Sequence, residues 1–299
     1  MRQFIHSLRE LWKSRRRTVR RRGRSGCRTE ALESRCLLTT APFQTHFVAT
    51  PTIVPQFTDG RYQFALADLD GDTKQELFAI RPNGTASGKV EVSVYAGGNN
   101  YQELIYRKAT ALNAVSSDWQ FRVFEYSNSV LIAAFNPNDS SGSVSVDLMS
   151  SSQNYNTSTH FVTAAPASPD LWDLDVADYN NDSYLDVIGV LKHGASNQTE
   201  VHVYSGKEEG GGRYQLPLLH AVTPLEPVGS EFDFIARKYD GDSTPDIVGI
   251  KRFGTGTNTT EIHVLSGSSG YSSFIEHIPP GLHETQGNNF NSTWSITLR

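Results

Sequence analysis

Cysteine is almost missing from this chain of 299 residues, and the two present, Cys27 and Cys36, both fall in its first 40. The remainder can carry neither a disulfide framework nor a cysteine-built zinc cluster, so cysteine says nothing about the redox compartment. Long apolar runs are missing too. None approaches the roughly 20 residues that a membrane span needs, so no span is expected. No stretch after the first 40 residues shows a long helical stripe. G-x-S-x-G, H-E-x-x-H and phosphate-loop patterns are absent, and the expectation is a protein without catalysis.

What is present is divided unevenly. Residues 1–38 hold 12 Lys and Arg against Glu10, Glu30 and Glu33, whereas the remainder holds 15 basic and 29 acidic residues. A basic arm of residues 1–40, expected to be mostly disordered, thus precedes an acidic body of residues 41–299. The arginines of "KSRRRTVRRRGRSGCR" (13–28) could neutralise phosphates. They lack the interleaved aromatics or helical stripe of a nucleic-acid binder, so no nucleic acid is expected and that use stays a second alternative.

The body repeats itself. "FALADLDGDTKQELFAI" (64–80), "LDVADYNNDSYLDVIGV" (174–190) and "FIARKYDGDSTPDIVGI" (234–250) align without gaps. Each is followed at nearly constant separation by a second block, "EVSVYAG" (91–97), "EVHVYSG" (200–206) and "EIHVLSG" (261–267). A worn copy, "FRVFEYSNSVLIAAF" (121–135), fills the double interval with a loop about two residues shorter and without its carboxylates. Repeats therefore span about 64–120, 121–173, 174–233 and 234–293, with the start of a further one at 294. The body opens on an outer-strand match, "THFV" (45–48, again at 159–162), and closes on "FNSTWSITLR". It is expected to be part of a longer ring or a closed set of four with spare ends.

Alternation in "VEVSVY" and "EVHVY" reads as half-buried strands, and the continuous runs "DVIGV" and "DIVGI" as strands covered on both faces. Gly189 and Gly249 share one position, which points to close approach of another backbone. Several short strands per repeat of 40–60 residues are the pattern of propeller blades. The expected fold is an all-β propeller of about four blades.

The acidic loops place oxygens at positions 1, 3, 5 and 9: Asp68, Asp70, Asp72 and Glu76 in the first, Asp178, Asn180, Asp182 and Asp186 in the third. Alternate residues of a tight loop can turn toward one centre, and hard oxygens of this number suit Ca²⁺, at about two sites. The last loop keeps Asp240, Asp242 and Asp246, but Lys238 stands at position 1. That ammonium is expected to neutralise the carboxylates and leave the loop without an ion. A solvated Asx-turn hairpin is the plainer alternative for any one copy. Paired carboxylates can also do acid–base work, but their repetition argues for structure. His202 and His263 share one strand position and read as exposed residues rather than a metal pair. Trp119, Trp172 and Trp294 read as core, a glycan-stacking role remaining open to an exposed one.

The loops resemble D-x-[DN]-x-D-G-x-x-D, the calcium loop of FG-GAP and VCBS repeats, which build integrin-like β-propellers. The Phe-Gly and Gly-Ala-Pro landmarks are missing. Thr73, Ser183 or Ser243 replaces the usual glycine, which should weaken the sharp turn. "LESRCLL" resembles the LEPR-x-LL signature of exported bacterial proteins through Leu32, Glu33, Arg35, Leu37 and Leu38. Together the resemblances imply an exported protein, extracellular or on a bacterial cell surface, that recognises an unknown protein or glycan ligand. A carbohydrate-active propeller, lectin or polysaccharide lyase, is the alternative.

Overall fold

The computed structural model describes residues 62–168, 171–209, 211–256 and 259–278. The basic arm, Leu32, Glu33, Arg35, Leu37 and Leu38, "THFV" at 45–48 and the segment from 294 lie outside the described residues. Among the described residues, sixteen strands form four antiparallel sheets, each a meander in chain order. Blade 1 comprises β1 (Gln63–Ala67), β2 (Glu76–Arg81), β3 (Lys89–Tyr95) and β4 (Leu104–Asn113). Blade 2 comprises β5 (Gln120–Tyr126), β6 (Ser129–Asn136), β7 (Ser143–Ser150) and β8 (Thr159–Pro166). Blade 3 comprises β9 (Trp172–Ala177), β10 (Asp186–Leu191), β11 (Glu200–Tyr204) and β12 (Pro217–Val222). Blade 4 comprises β13 (Phe232–Arg237), β14 (Asp246–Lys251), β15 (Glu261–Leu265) and β16 (Phe274–Ile278).

The sheets stand around a central cavity of about 310 Å³ lined by residues of β1, β5, β9 and β13, a four-bladed β-propeller. Residues at the ends of those strands, with Gln75, Leu185 and Pro245, line it. The connections between first and second strands therefore open at one mouth. Apolar clusters fill the seams between blades 1 and 2, 2 and 3, and 3 and 4. Blades 1 and 4 each carry a smaller cluster of their own, around Tyr62 and Tyr95 and around Val248 and Val264. Burying a side chain such as Phe78, Ile132 or Leu174 is worth about 1.5–3 kcal/mol.

A repeated polar clamp aligns the inner strands. Gln63 donates to Trp119 O (2.6 Å) and accepts from Phe121 N (2.9 Å). Gln120 does the same with Trp172 O and Leu174 N one blade on. In blade 3 the clamp residue is Asp173, which accepts from Phe234 N (2.9 Å) but has no donor. Lys192 supplies it, reaching Phe232 O (2.8 Å) while pairing with Asp173 (3.0 Å). A carboxylate and an ammonium together thus do the work of one amide side chain.

Two sequence expectations change here. Position-equivalent Gly189 and Gly249 are crowded by rings rather than by backbone. A Cβ would lie 2.9 Å from the Trp172 ring and 2.5 Å from the Phe234 ring. The alternating third strands are not half-exposed either: Ser93, Glu200 and His263 on their polar face are all buried. An outer strand covers each third strand's edge, and packed side chains cover its polar face, as the Trp172 edge does at His202. Trp172 is core as expected, and Trp119 packs half-buried against the first seam.

Candidate metal centre

The acidic loops are built from Asx turns whose backbone amides point inward. In the first, Asp68 accepts from Gly71 N (2.7 Å) and Thr73 N (2.8 Å), Asp70 from Asp72 N (3.1 Å) and Asp72 from Lys74 N (2.8 Å). The third repeats the scheme: Asp178 accepts from Asp182 N and Ser183 N, Asn180 also from Asp182 N, and Asp182 from Tyr184 N. In the last, Asp240 accepts from Asp242 N and Asp242 from Thr244 N. Thr73 (φ 71°) and Ser183 (φ 68°) take the left-handed conformation despite their side chains. In these two loops the sharp turn is therefore kept at a cost in backbone strain, contrary to expectation, whereas Ser243 of the last loop does not take that conformation.

Position 9 is where the two sequence blocks meet. Glu76 accepts from Leu69 N (2.7 Å) and Gly97 N (3.3 Å), Asp186 from Tyr179 N (3.0 Å) and Gly206 N (2.7 Å). Asp246 accepts from Tyr239 N (2.9 Å), Asp240 N (3.3 Å) and Gly267 N (2.8 Å). The glycine closing each second block must lack a side chain, because a Cβ at Gly97, Gly206 or Gly267 would fall 2.2, 1.9 or 2.2 Å from the carbonyl oxygen of the loop's last residue. That glycine gives the loop carboxylate its amide while pressing against the loop backbone.

These carboxylates are held where negative charge is costly. Burial pushes the Glu76 carboxyl up, the Leu69 and Gly97 amides draw it back, and Asp70 and Asp72 push it further. Burial, with Asp182 and Asp178 adding to it against the Gly206 and Tyr179 amides, takes Asp186 up to about 6. Asp246 is raised by burial too, against the Gly267, Tyr239 and Asp240 amides. A cation among such groups would favour their ionised form. Oxygens of Asp68, Asp70 and Glu76 lie within 4.8 Å of one another, a donor set that fits a hard cation. Asp72 lies toward Lys74, 3.7 Å away. In the third loop Asn180 donates its amide to Asp182 (3.1 Å), so two of the four candidate ligands face each other. Exposed Lys238 lines the cavity mouth, and among the described residues no ion pair joins it to Asp240, Asp242 or Asp246. The expected ion pair is therefore not made among the described residues.

The worn copy is not stripped of carboxylates as expected. Glu125, at the position of Asp68, accepts from Asp68 N (2.8 Å) of the neighbouring loop, and Tyr126 donates its hydroxyl to Ser183 O (3.0 Å). The turn of blade 2 thus touches both flanking acidic loops. Two further features escaped sequence reading. A tyrosine at positive φ (Tyr101, Tyr155, Tyr214, Tyr271) follows each second block, and its signal was the recurring "NNY", "QNY", "GRY" and "SGY". The other is a cluster on blade 3. His202 is not exposed: its ring lies between the edge of Trp172 and the ring of His220, and only 14% of the side chain is accessible, with 6% for His263.

Fold and loops together define a class, a β-propeller with repeated acidic loops around one mouth of its channel. Neither the family models nor the curated proteins compared with this chain give a match.

Proposed function

We propose that the chain is a calcium-braced propeller of the FG-GAP and VCBS kind, exported by a bacterium and acting outside the cell as an adhesion or ligand-recognition module without catalysis. One observation carries the calcium reading: Asp68, Asp70 and Glu76 converge within 4.8 Å in a loop whose design returns twice more around the same mouth. Repetition favours a bracing ion over a reactive one, because a catalytic constellation is normally unique on its scaffold. Ca²⁺ would draw the loop carboxylates together and offset the burial that raises Glu76 and Asp186. An affinity of about 10⁻⁴–10⁻³ M suffices outside a cell. Export is supported by the basic arm and the LESRCLL resemblance. Recognition of a protein or glycan is supported by the propeller likeness and by a channel mouth that the loops surround.

Equilibrium dialysis against calcium tests the ion. The expected result is about two ions per chain, one fewer in Asp70→Ala and no fewer in Asp242→Ala. A chain that takes up no calcium at millimolar concentration refutes the reading. Fractionation of producing cells tests the location. Recovery from medium or envelope without residues 1–40 supports it, and full-length cytoplasmic protein opposes it. Release of unsaturated sugars from a polysaccharide panel would replace recognition with lyase activity.

A further inference from the structure

The outer half of blade 3 assembles a second donor group, unlike the acidic loops in chemistry. Glu200 and His202 are two apart on β11 and so share a face of the sheet. Register places His220 of β12 directly opposite His202. Both imidazole Nε2 atoms converge on the same oxygen, Glu200 Oε2, at 3.2 Å from His202 and 2.9 Å from His220. Their rings stack with centroids 4.2 Å apart and planes 22° from parallel. One ligand atom from each of the three residues lies within 4.8 Å of the others.

The surroundings hold this arrangement in place. Ser196 occupies the other carboxylate oxygen, Oε1, through its amide (3.0 Å) and hydroxyl (2.6 Å), leaving Oε2 directed at the imidazoles. Gly194 makes room for the carboxylate, since a Cβ there would lie 2.1 Å from Glu200 Cδ. The Trp172 and His202 rings meet edge to face, with centroids 5.1 Å apart. Glu200 is buried and His202 half-buried, whereas 58% of the His220 side chain is accessible, so the group opens to solvent on one side. Burial would raise Glu200, but Ser196 and the two imidazoles hold it down to about 2, so it is an anion at neutral pH. Burial and the neighbouring His220 hold His202 below its usual range, which keeps it neutral.

We propose that Glu200, His202 and His220 bind one zinc-class divalent ion through Oε2 and the two Nε2 atoms, with the remaining positions open to water or a ligand. Imidazole nitrogen with one carboxylate suits zinc and its first-row neighbours, whereas calcium takes oxygen. Three protein ligands with solvent access are the arrangement of an open site rather than a closed structural one. Scarcity of cysteine excluded a thiolate cluster and left this donor set untouched. At the same cross-strand position blade 1 pairs Ser93 with Arg107 and blade 2 pairs Asp147 with His160, and neither supplies two imidazoles. Blade 4 repeats part of the pattern, with Glu261 and His263 on β15 at a longer 3.6 Å and His277 opposite in register. The proposal does not rest on the calcium reading.

The test is zinc titration of the full chain, stripped with chelator and then saturated with calcium, with cobalt as a spectroscopic substitute. The native chain should take up zinc and give a visible cobalt band. His220→Ala, a change at an exposed side chain, should lose one equivalent of zinc and that band. Ser196→Ala should bind roughly tenfold more weakly, as loss of an outer-shell partner does. His220→Cys should keep the zinc count of the native chain and add a thiolate-to-cobalt charge-transfer band beyond any that the native chain shows. Asp70→Ala should leave zinc uptake unchanged. If His220→Ala keeps the native zinc count and cobalt spectrum, the proposal fails and the three residues are a hydrogen-bond network only.

Discussion

Blades 2 and 3 have the same strand order and neighbouring places in the ring, yet they join their first two strands differently. In blade 3, Ala177 pairs with Asp186 and an eight-residue acidic loop lies between them; in blade 2, Phe124 pairs with Leu131 and six residues suffice. The shorter connection ends in a tight turn at Ser127 (φ 49°) and Asn128 (φ 61°), the primed geometry that suits a hairpin. A blade of this protein can therefore close without the acidic loop. The exchange is concerted. Leu131 replaces the position-9 carboxylate, and Ser151 replaces the glycine that would have served it, its hydroxyl accepting from Val130 N at 3.0 Å. Where the carboxylate stays, the glycine stays. The acidic loop is therefore not needed to connect the strands.

The same two blades differ in their clamps, and that contrast should give the largest effect. Lys192→Ala leaves the Asp173 carboxylate buried without its cation and should cost about 3–5 kcal/mol in urea unfolding. Gln120→Ala in blade 2 removes neutral hydrogen bonds only and should cost about 1–3 kcal/mol. Equal costs would show that the charged clamp is no more than a substitute amide. Next in size is Gly206→Ala, where the new methyl meets Leu185 O and disturbs the amide held by Asp186. A loss of about 3 kcal/mol is expected, against about 1 kcal/mol for Ser151→Ala in blade 2. A harmless Gly206→Ala would dissolve the link drawn between glycine and loop.

A smaller effect compares Asp173 with its counterpart in blade 4. Asp233 pairs with Arg252 (3.1 Å), and burial, followed by Asp173, pushes its carboxyl up to about 6 against the pull of Arg252, Lys192 and Arg122. Its folded value lies above its unfolded one. Its contribution is therefore full below about pH 4 and lost as pH rises through about 6. Melting temperature in chelator should fall across that window, and Asp233→Asn should flatten the fall. An unchanged profile in the variant would assign the dependence to other groups.

The period-two strands, the four repeats and the central ring could be read from the sequence because each rests on local alternation or on recurrence. Cross-strand register is where that reading ran out. His202 looked exposed because "EVHVY" alternates, yet the Trp172 edge and His220 on β12 cover it. Gly206 stood in the sequence only as the last residue of a repeated block, because its crowding comes from Leu185, 21 residues earlier in the chain. The acidic residues were visible as a set, but not the reach of Glu125 into the neighbouring loop. Such contacts depend on which side chains face each other across strands and blades, and no short stretch of sequence records that.

The central claim is that the acidic loops hold ions that brace the ring. Its most direct test is the thermal melt of the purified chain with calcium and with chelator, beside Asp70→Ala and Asp242→Ala. Calcium should raise the melting temperature of the native chain and of Asp242→Ala, and Asp70→Ala should lose much of the rise. A native chain that melts at one temperature with and without calcium contradicts the account.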